Sequence, residues 1–263
     1  MGTETGPSGS RASKQPPINT MPPPHLPAEL LDHTVDHLHD ARFALKNCCL
    51  VSKSWVPRSR KHLFANVTFK MAARLQSWKT TFPDPSTSPA CYTKDLVVWW
   101  PELVTAADAE ERGWIQAFSQ VAHLGLDFDW QRTSLLPFHA LSLTLKSLHL
   151  DFSCVLIPRV LNLIHSFPLL EDLSLIVWGD DPIEDFNGQH TVVQPLLARS
   201  LTLDAKGGMN HVVSKLFPLQ NNLRFRELDL ALICEEDVFE ISALVERCCF
   251  TLGHCGMSLR FPR

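Results

Sequence analysis

Short stretches in which Leu alternates with another residue recur through the C-terminal two thirds of the chain. They are Leu96-Val97-Val98, Leu124-Gly125-Leu126, Leu148-His149-Leu150, Leu173-Ser174-Leu175, Leu201-Thr202-Leu203 and Leu228-Asp229-Leu230, with Met257-Ser258-Leu259 as a seventh. Their first residues are spaced by 28, 24, 25, 28, 27 and 29. Alternation places the two Leu of a stretch on one face of a strand. Helical periodicity fills some of the intervals, at 155–167 and 237–248. A unit so short cannot cover its own Leu face, so successive units must stack and share a core. The expected fold class is α/β, with stacked strand–helix units over 94–263. The chain stops within a few residues of the last stretch, where a stacked array needs a cap. That leaves a missing C-terminal segment open.

The spacing falls at the long end of the leucine-rich-repeat period of about 20–29 residues. The Asn ladder of regular repeats is absent, so the region resembles an irregular, leucine-rich-repeat-like solenoid. The resemblance implies that the residues beside the Leu positions line a concave surface. Those are Asp95, Val97, Trp99, His123, Gly125, Asp127, Ser147, His149, Asp151, Asp172, Ser174, Ile176, Ser200, Thr202, Asp204, Glu227, Asp229 and Ala231. Seven of these 18 are acidic and none is Lys or Arg. One expectation is a surface for a basic segment of a protein target, with Asp127, His149, Asp151, Asp172, Asp204, Glu227 and Asp229 as its residues. The plainer expectation is that solvent-facing strand positions are polar in any case and that strand ends favour Asp. The run Asp180-Asp181-Pro182-Ile183-Glu184-Asp185 extends that surface or is simply a solvated loop.

The N-terminal third reads differently. Residues 1–25 are rich in Gly, Ser, Pro and Thr, a composition that cannot offset the entropy of ordering, so a disordered tail is expected. A helix is expected over 26–38, with Pro27 in its first turn and Leu30, Leu31, Val35 and Leu38 on one stripe. Asp40 is placed to cap a second helix whose apolar face is Ala41, Ala44, Leu45 and Cys48. Ser52 is placed to cap a third, in which Pro57 delays or kinks the first turn. Three short helices cannot bury all these apolar side chains, so some need a partner. Residues 70–93 should hold a helix over 71–80 and a Pro/Ser/Thr loop at 83–89.

Leu26-Pro27-Ala28-Glu29-Leu30-Leu31, then Leu38, then Leu50-Val51-Ser52-Lys53-Ser54-Trp55, then Leu63-Phe64-Ala65-Asn66-Val67-Thr68-Phe69 resembles the F-box, over residues 26–69. That family binds the Skp adaptor of cullin–RING ubiquitin ligases through its apolar residues. The resemblance implies an adaptor-binding set of Leu26, Pro27, Leu30, Leu31, Val35, Leu38, Leu45, Val51 and Trp55. Thr34, where the family has a large aliphatic residue, and Pro57 depart from the pattern.

Other functions find little support. Eight Cys form no Cys-x-x-Cys pair, and no stretch of 18 apolar residues spans a membrane, which points to a reducing cytoplasmic or nuclear setting. His33 and His37 have the four-residue spacing of zinc proteases but lack the intervening Glu. Cys248, Cys249, His254 and Cys255 offer ligand types at poor tetrahedral spacing, and core packing explains them. No metal or other cofactor is expected. Residues 41–80 hold nine Lys/Arg and no acid, yet no nucleic-acid-binding motif accompanies them. No nucleophile elbow, phosphate loop or dinucleotide fingerprint occurs. The expected role is therefore non-enzymatic: a substrate-recognition subunit that docks the Skp adaptor and holds a target on the solenoid. The alternative is a leucine-rich-repeat-like interaction module whose F-box remnant does not dock.

Overall fold

The computed structural model describes residues 27–99, 113–127, 135–153, 157–178, 198–205, 213, 223–231, 238–248 and 251–258. The expected tail at 1–25, Leu26, Cys249, the acidic run at 180–185 and Leu259 lie outside these residues.

The six stretches from Leu96-Val97-Val98 to Leu228-Asp229-Leu230 each lie in a strand. In the seventh unit Met257 and Ser258 end a strand, but Cys255 and not Met257 stands opposite Leu228, so the expected stretch is two residues out of step. The strands are β1 (Asn66–Phe69), β2 (Asp95–Trp99), β3 (His123–Asp127), β4 (Ser147–Ser153), β5 (Asp172–Trp178), β6 (Ser200–Ala205), β7 (Glu227–Ala231) and β8 (His254–Ser258). They form one parallel sheet in chain order, every strand pairing with the next. The register keeps the repeat in step: Leu96, Leu124, Leu148, Leu173, Leu201 and Leu228 are successive partners, as are Val98, Leu126, Leu150, Leu175, Leu203 and Leu230. All twelve are at most 1% exposed. On β8 the same two rows reach Cys255 and Met257, which are exposed. The chain is thus mixed α/β with an eight-stranded parallel sheet.

Helices pack on the Leu face. α5 (Ile157–His165) buries Val160, Leu163 and Ile164, and α6 (Val238–Cys248) buries Ile241, Leu244 and Cys248. Both fall inside the helical intervals read from the sequence. A 3-10 turn at Leu136–Leu141 adds Phe138 and Leu141 to the same core.

Among the described residues no Asn ladder joins the units, and backbone carbonyls link them instead. The carbonyl of Lys94 accepts the N–H groups of Ala122 and His123, at 2.8 and 3.0 Å. The same two-into-one pattern recurs at the carbonyls of Ala65, Ala122, Lys146, Glu171, Arg199 and Arg226. Polar backbone at the start of each of β2–β8 is satisfied by the preceding unit.

The N-terminal helices are α1 (Ala28–His37), α2 (Arg42–Val51) and α3 (Val56–Leu63). Two local details differ from expectation. Ala41, not Asp40, occupies the N-cap of α2, and no side chain caps it. Ser52 caps a 3-10 turn, Lys53–Trp55, by accepting from the Ser54 N–H, and α3 starts only after it. Pro57 then stands in the first turn of α3, where its missing N–H has no intrahelical partner to lose. The sheet begins at Asn66, within the segment matched to the helical motif and well ahead of residue 94. α4 (Ala72–Thr81) follows β1, one residue later than expected. In the Pro/Ser/Thr segment, Asp84 and Ser88 nucleate 3-10 turns at Pro85–Thr87 and Pro89–Tyr92. Thr93 donates to the Phe64 carbonyl at 2.9 Å, and Lys94 and Asp95 donate to that of Ala65. These bonds seat the end of α3 directly on the sheet.

Candidate interaction surfaces

The three-helix module has a small interior. Val35 of α1 and Leu45 and Cys48 of α2 are buried there. An ionic cluster ties the outer helices together: Arg58 of α3 donates to both oxygens of Asp36 on α1, at 2.6 Å from Nε, and His62 Nε2 lies 2.7 Å from Asp36 Oδ1. The guanidinium, then the imidazole, hold the Asp36 carboxyl well below the usual carboxylate range.

What remains outside is apolar. Leu30 of α1 is 52% exposed, and on α2 Phe43, Leu50 and Val51 are 79%, 85% and 69% exposed. Phe43 and Leu50 are seven residues apart, so they share the face of α2 opposite Leu45 and Cys48. Of the residues expected to bind the adaptor, Pro27, Leu30 and Val51 are exposed, while Leu31, Leu38 and Trp55 are half-buried. Val35 and Leu45 are internal, so any part they play in docking comes through the shape of the module rather than contact. Phe43 was not legible as an exposed residue, and Leu50 only as part of the motif. The signal for both is the second apolar stripe of α2. Thr34, four residues after Leu30, turns its hydroxyl onto the Leu30 carbonyl at 2.8 Å.

On the sheet, the positions between the core Leu are part-buried or exposed, as period-two alternation requires. Register sorts them into rows. One row holds Asp95, His123, Ser147, Asp172, Ser200 and Glu227. The next holds Val97, Gly125, His149, Ser174, Thr202 and Asp229, and the third Trp99, Asp127, Asp151, Ile176, Asp204 and Ala231. The acids therefore do not form one cluster. Asp127 and Asp151 are direct neighbours, whereas Ile176 separates Asp151 from Asp204. Burial, and then the Asp151 charge, raise the Asp127 carboxyl above its ordinary value.

Other groups occupy the same face. Trp178 donates its indole N–H to Asp151, His149 Nδ1 lies 2.9 Å from Ser174 Oγ, and His123 Nε2 lies 3.8 Å from Asp95. Lys70, just after β1, sits 4.8 Å above the Trp99 ring. Cations also mark the residue before several strands, at Lys94, Lys146, Arg199 and Arg226, and Lys146 pairs with Glu171 at 3.1 Å. Acids stand at both ends of the strands, Asp95, Asp172 and Glu227 at the N-terminal ends and Asp127, Asp151 and Asp204 at the C-terminal ends, and these bases border the N-terminal ends.

His33 and His37 bring their Nε2 atoms to 3.3 Å on the exposed side of α1. Among the described residues no group of three or more His, Cys, Asp or Glu is placed to hold a metal ion. No helix there is long and apolar enough to cross a membrane. Comparison with protein-family models, curated proteins and solved structures finds no match.

Proposed function

We propose that this chain is the substrate-recognition subunit, an F-box receptor, of a cullin–RING ubiquitin ligase. In this reading α1–α3 dock the Skp adaptor and the outward face of the sheet holds a protein target. The observation that carries it is the unpaired apolar surface of the helical module: Leu30, Phe43, Leu50 and Val51 stand exposed on helices whose sequence resembles the F-box. Burying each such side chain against a partner contributes about 1.5–3 kcal/mol. The mechanism is proximity. Because α3 runs into β1 across the Thr93–Phe64 and Lys94–Ala65 bonds, a docked adaptor fixes the direction of the sheet. A target on the sheet is then held near the ubiquitin-loaded enzyme, and a bimolecular transfer becomes local. No residue of this chain need react. A target segment crossing the Asp127–Asp151 end of the face would be basic there.

The second reading, an interaction module that no longer docks, is favoured by Thr34, a polar residue on the Leu30 stripe of α1. Capture of the full chain by purified Skp adaptor separates the two. Docking predicts capture that Leu30→Asp or Val51→Asp abolishes and that Trp55→Ala weakens. A folded chain that the adaptor does not retain rejects the receptor reading and leaves the second.

A further inference from the structure

A cleft of about 580 Å³ opens where the helical module meets the first strand, between α2, β1 and α4. That volume is the size of a small-molecule site. Two kinds of residue line it. Arg42 and Lys46 come from α2 and Arg74 from α4, while Phe64, Trp78 and Phe82 supply an aromatic wall. No acidic residue lines it. Among the described residues none of the three cations is paired with a carboxylate. Arg42 reaches only the carbonyls of Leu63 and Asn66, each at 3.4 Å, which spans its guanidinium across the seam between α3 and β1. With five N–H donors, that guanidinium keeps hydrogen-bonding capacity in reserve.

The aromatic wall is already assembled. Phe64 meets Trp78 and Phe82 edge-on, at 5.7 and 6.2 Å between centroids, and Trp78 and Phe82 lie 5.0 Å apart. The Trp78 Nε1–H is buried with no acceptor. The lining carries the three cations and no acid, so the charge of the cleft walls is positive. We propose that this cleft binds a flat organic anion: an aromatic body against Phe64, Trp78 and Phe82, carrying a phosphate or carboxylate held by Arg42, Lys46 and Arg74. A bare inorganic anion would leave the aromatic wall in water, and a neutral ring would leave the cations unused. Charge-assisted hydrogen bonds supply orientation and the wall supplies contact area. The proposal stands independently of the ubiquitin-ligase reading.

Equilibrium dialysis of the full chain against 1-naphthyl phosphate, 1-naphthol and inorganic phosphate tests it. Retention of 1-naphthyl phosphate at least about tenfold tighter than either other probe is expected, since removing charged hydrogen bonds costs about tenfold each. Lys46→Gln with Arg74→Gln should weaken it by about tenfold or more with an unchanged circular-dichroism spectrum. Should that pair impair folding, Arg74→Gln alone, exposed on α4, is read and a several-fold loss is expected. No retention at millimolar ligand, equal affinity for 1-naphthol or for phosphate, or undiminished binding by the folded variant would each overturn the proposal.

Discussion

The sheet and the helical module treat apolar residues in opposite ways. Across β2–β7 every Leu of the two inward rows is buried by its own neighbours. In α1–α3 only three apolar side chains, Val35, Leu45 and Cys48, are buried, while Leu30, Phe43, Leu50 and Val51 stay in water. A repeating sheet covers its apolar face by adding units, each burying the one before. Three short helices have no such recourse. Their surface-to-volume ratio leaves apolar area over, and a partner is the physical remedy.

Stability measurements can break this comparison. The largest effect is expected for Leu150→Ala, in the middle of the fully buried row. It should cost about 2–5 kcal/mol in urea unfolding, the range for a Leu deleted from a core. A cost below about 1 kcal/mol would mean that the row is not the packed core described here.

A smaller effect, opposite in sign between the two regions, follows from two carboxyls. Asp36 is held below its ordinary value by Arg58 and His62. Its contribution is therefore present above the unfolded-state value of about 3.9 and is lost as pH falls through the depressed folded value. Asp36→Asn should lower the melting temperature at neutral pH, and the difference from the parent should shrink in strong acid. Asp127 is raised by burial and by Asp151, so its ionised form weakens the fold and the penalty disappears on acidification. Asp127→Asn should raise stability at neutral pH by under about 1 kcal/mol, the scale of like charges opposed across strands. A loss of stability in Asp127→Asn would show that the carboxylate is satisfied by groups other than those described.

Much of the sheet was legible because period-two alternation of Leu is a strong and local signal. The spacing located β2–β7 and the polar positions between; for β8 it fell two residues late, because Cys255 takes the place expected of Met257. β1 escaped it: Val67-Thr68-Phe69 has no Leu pair, and its residues were absorbed into the helical motif. The acidic count on the outward face was legible, but its division into rows was not, because register places Ile176 between Asp151 and Asp204. Nor was the Lys70–Trp99 contact, which depends on where the chain leaves β1. In the module, the apolar set was legible and its inside and outside were not. One stripe on α1 carries both buried Val35 and exposed Leu30, and only packing separates them. The cleft at Arg42, Lys46 and Arg74 joins residues of two helices across a strand, a juxtaposition no spacing announces.

The most direct test of the contrast is hydrogen exchange on the full chain with and without saturating Skp adaptor. The account predicts slowed exchange within 28–51, where Leu30, Phe43, Leu50 and Val51 become covered, and unchanged exchange in β2–β7. Unchanged exchange in α1 and α2, or protection confined to the strands, would contradict it.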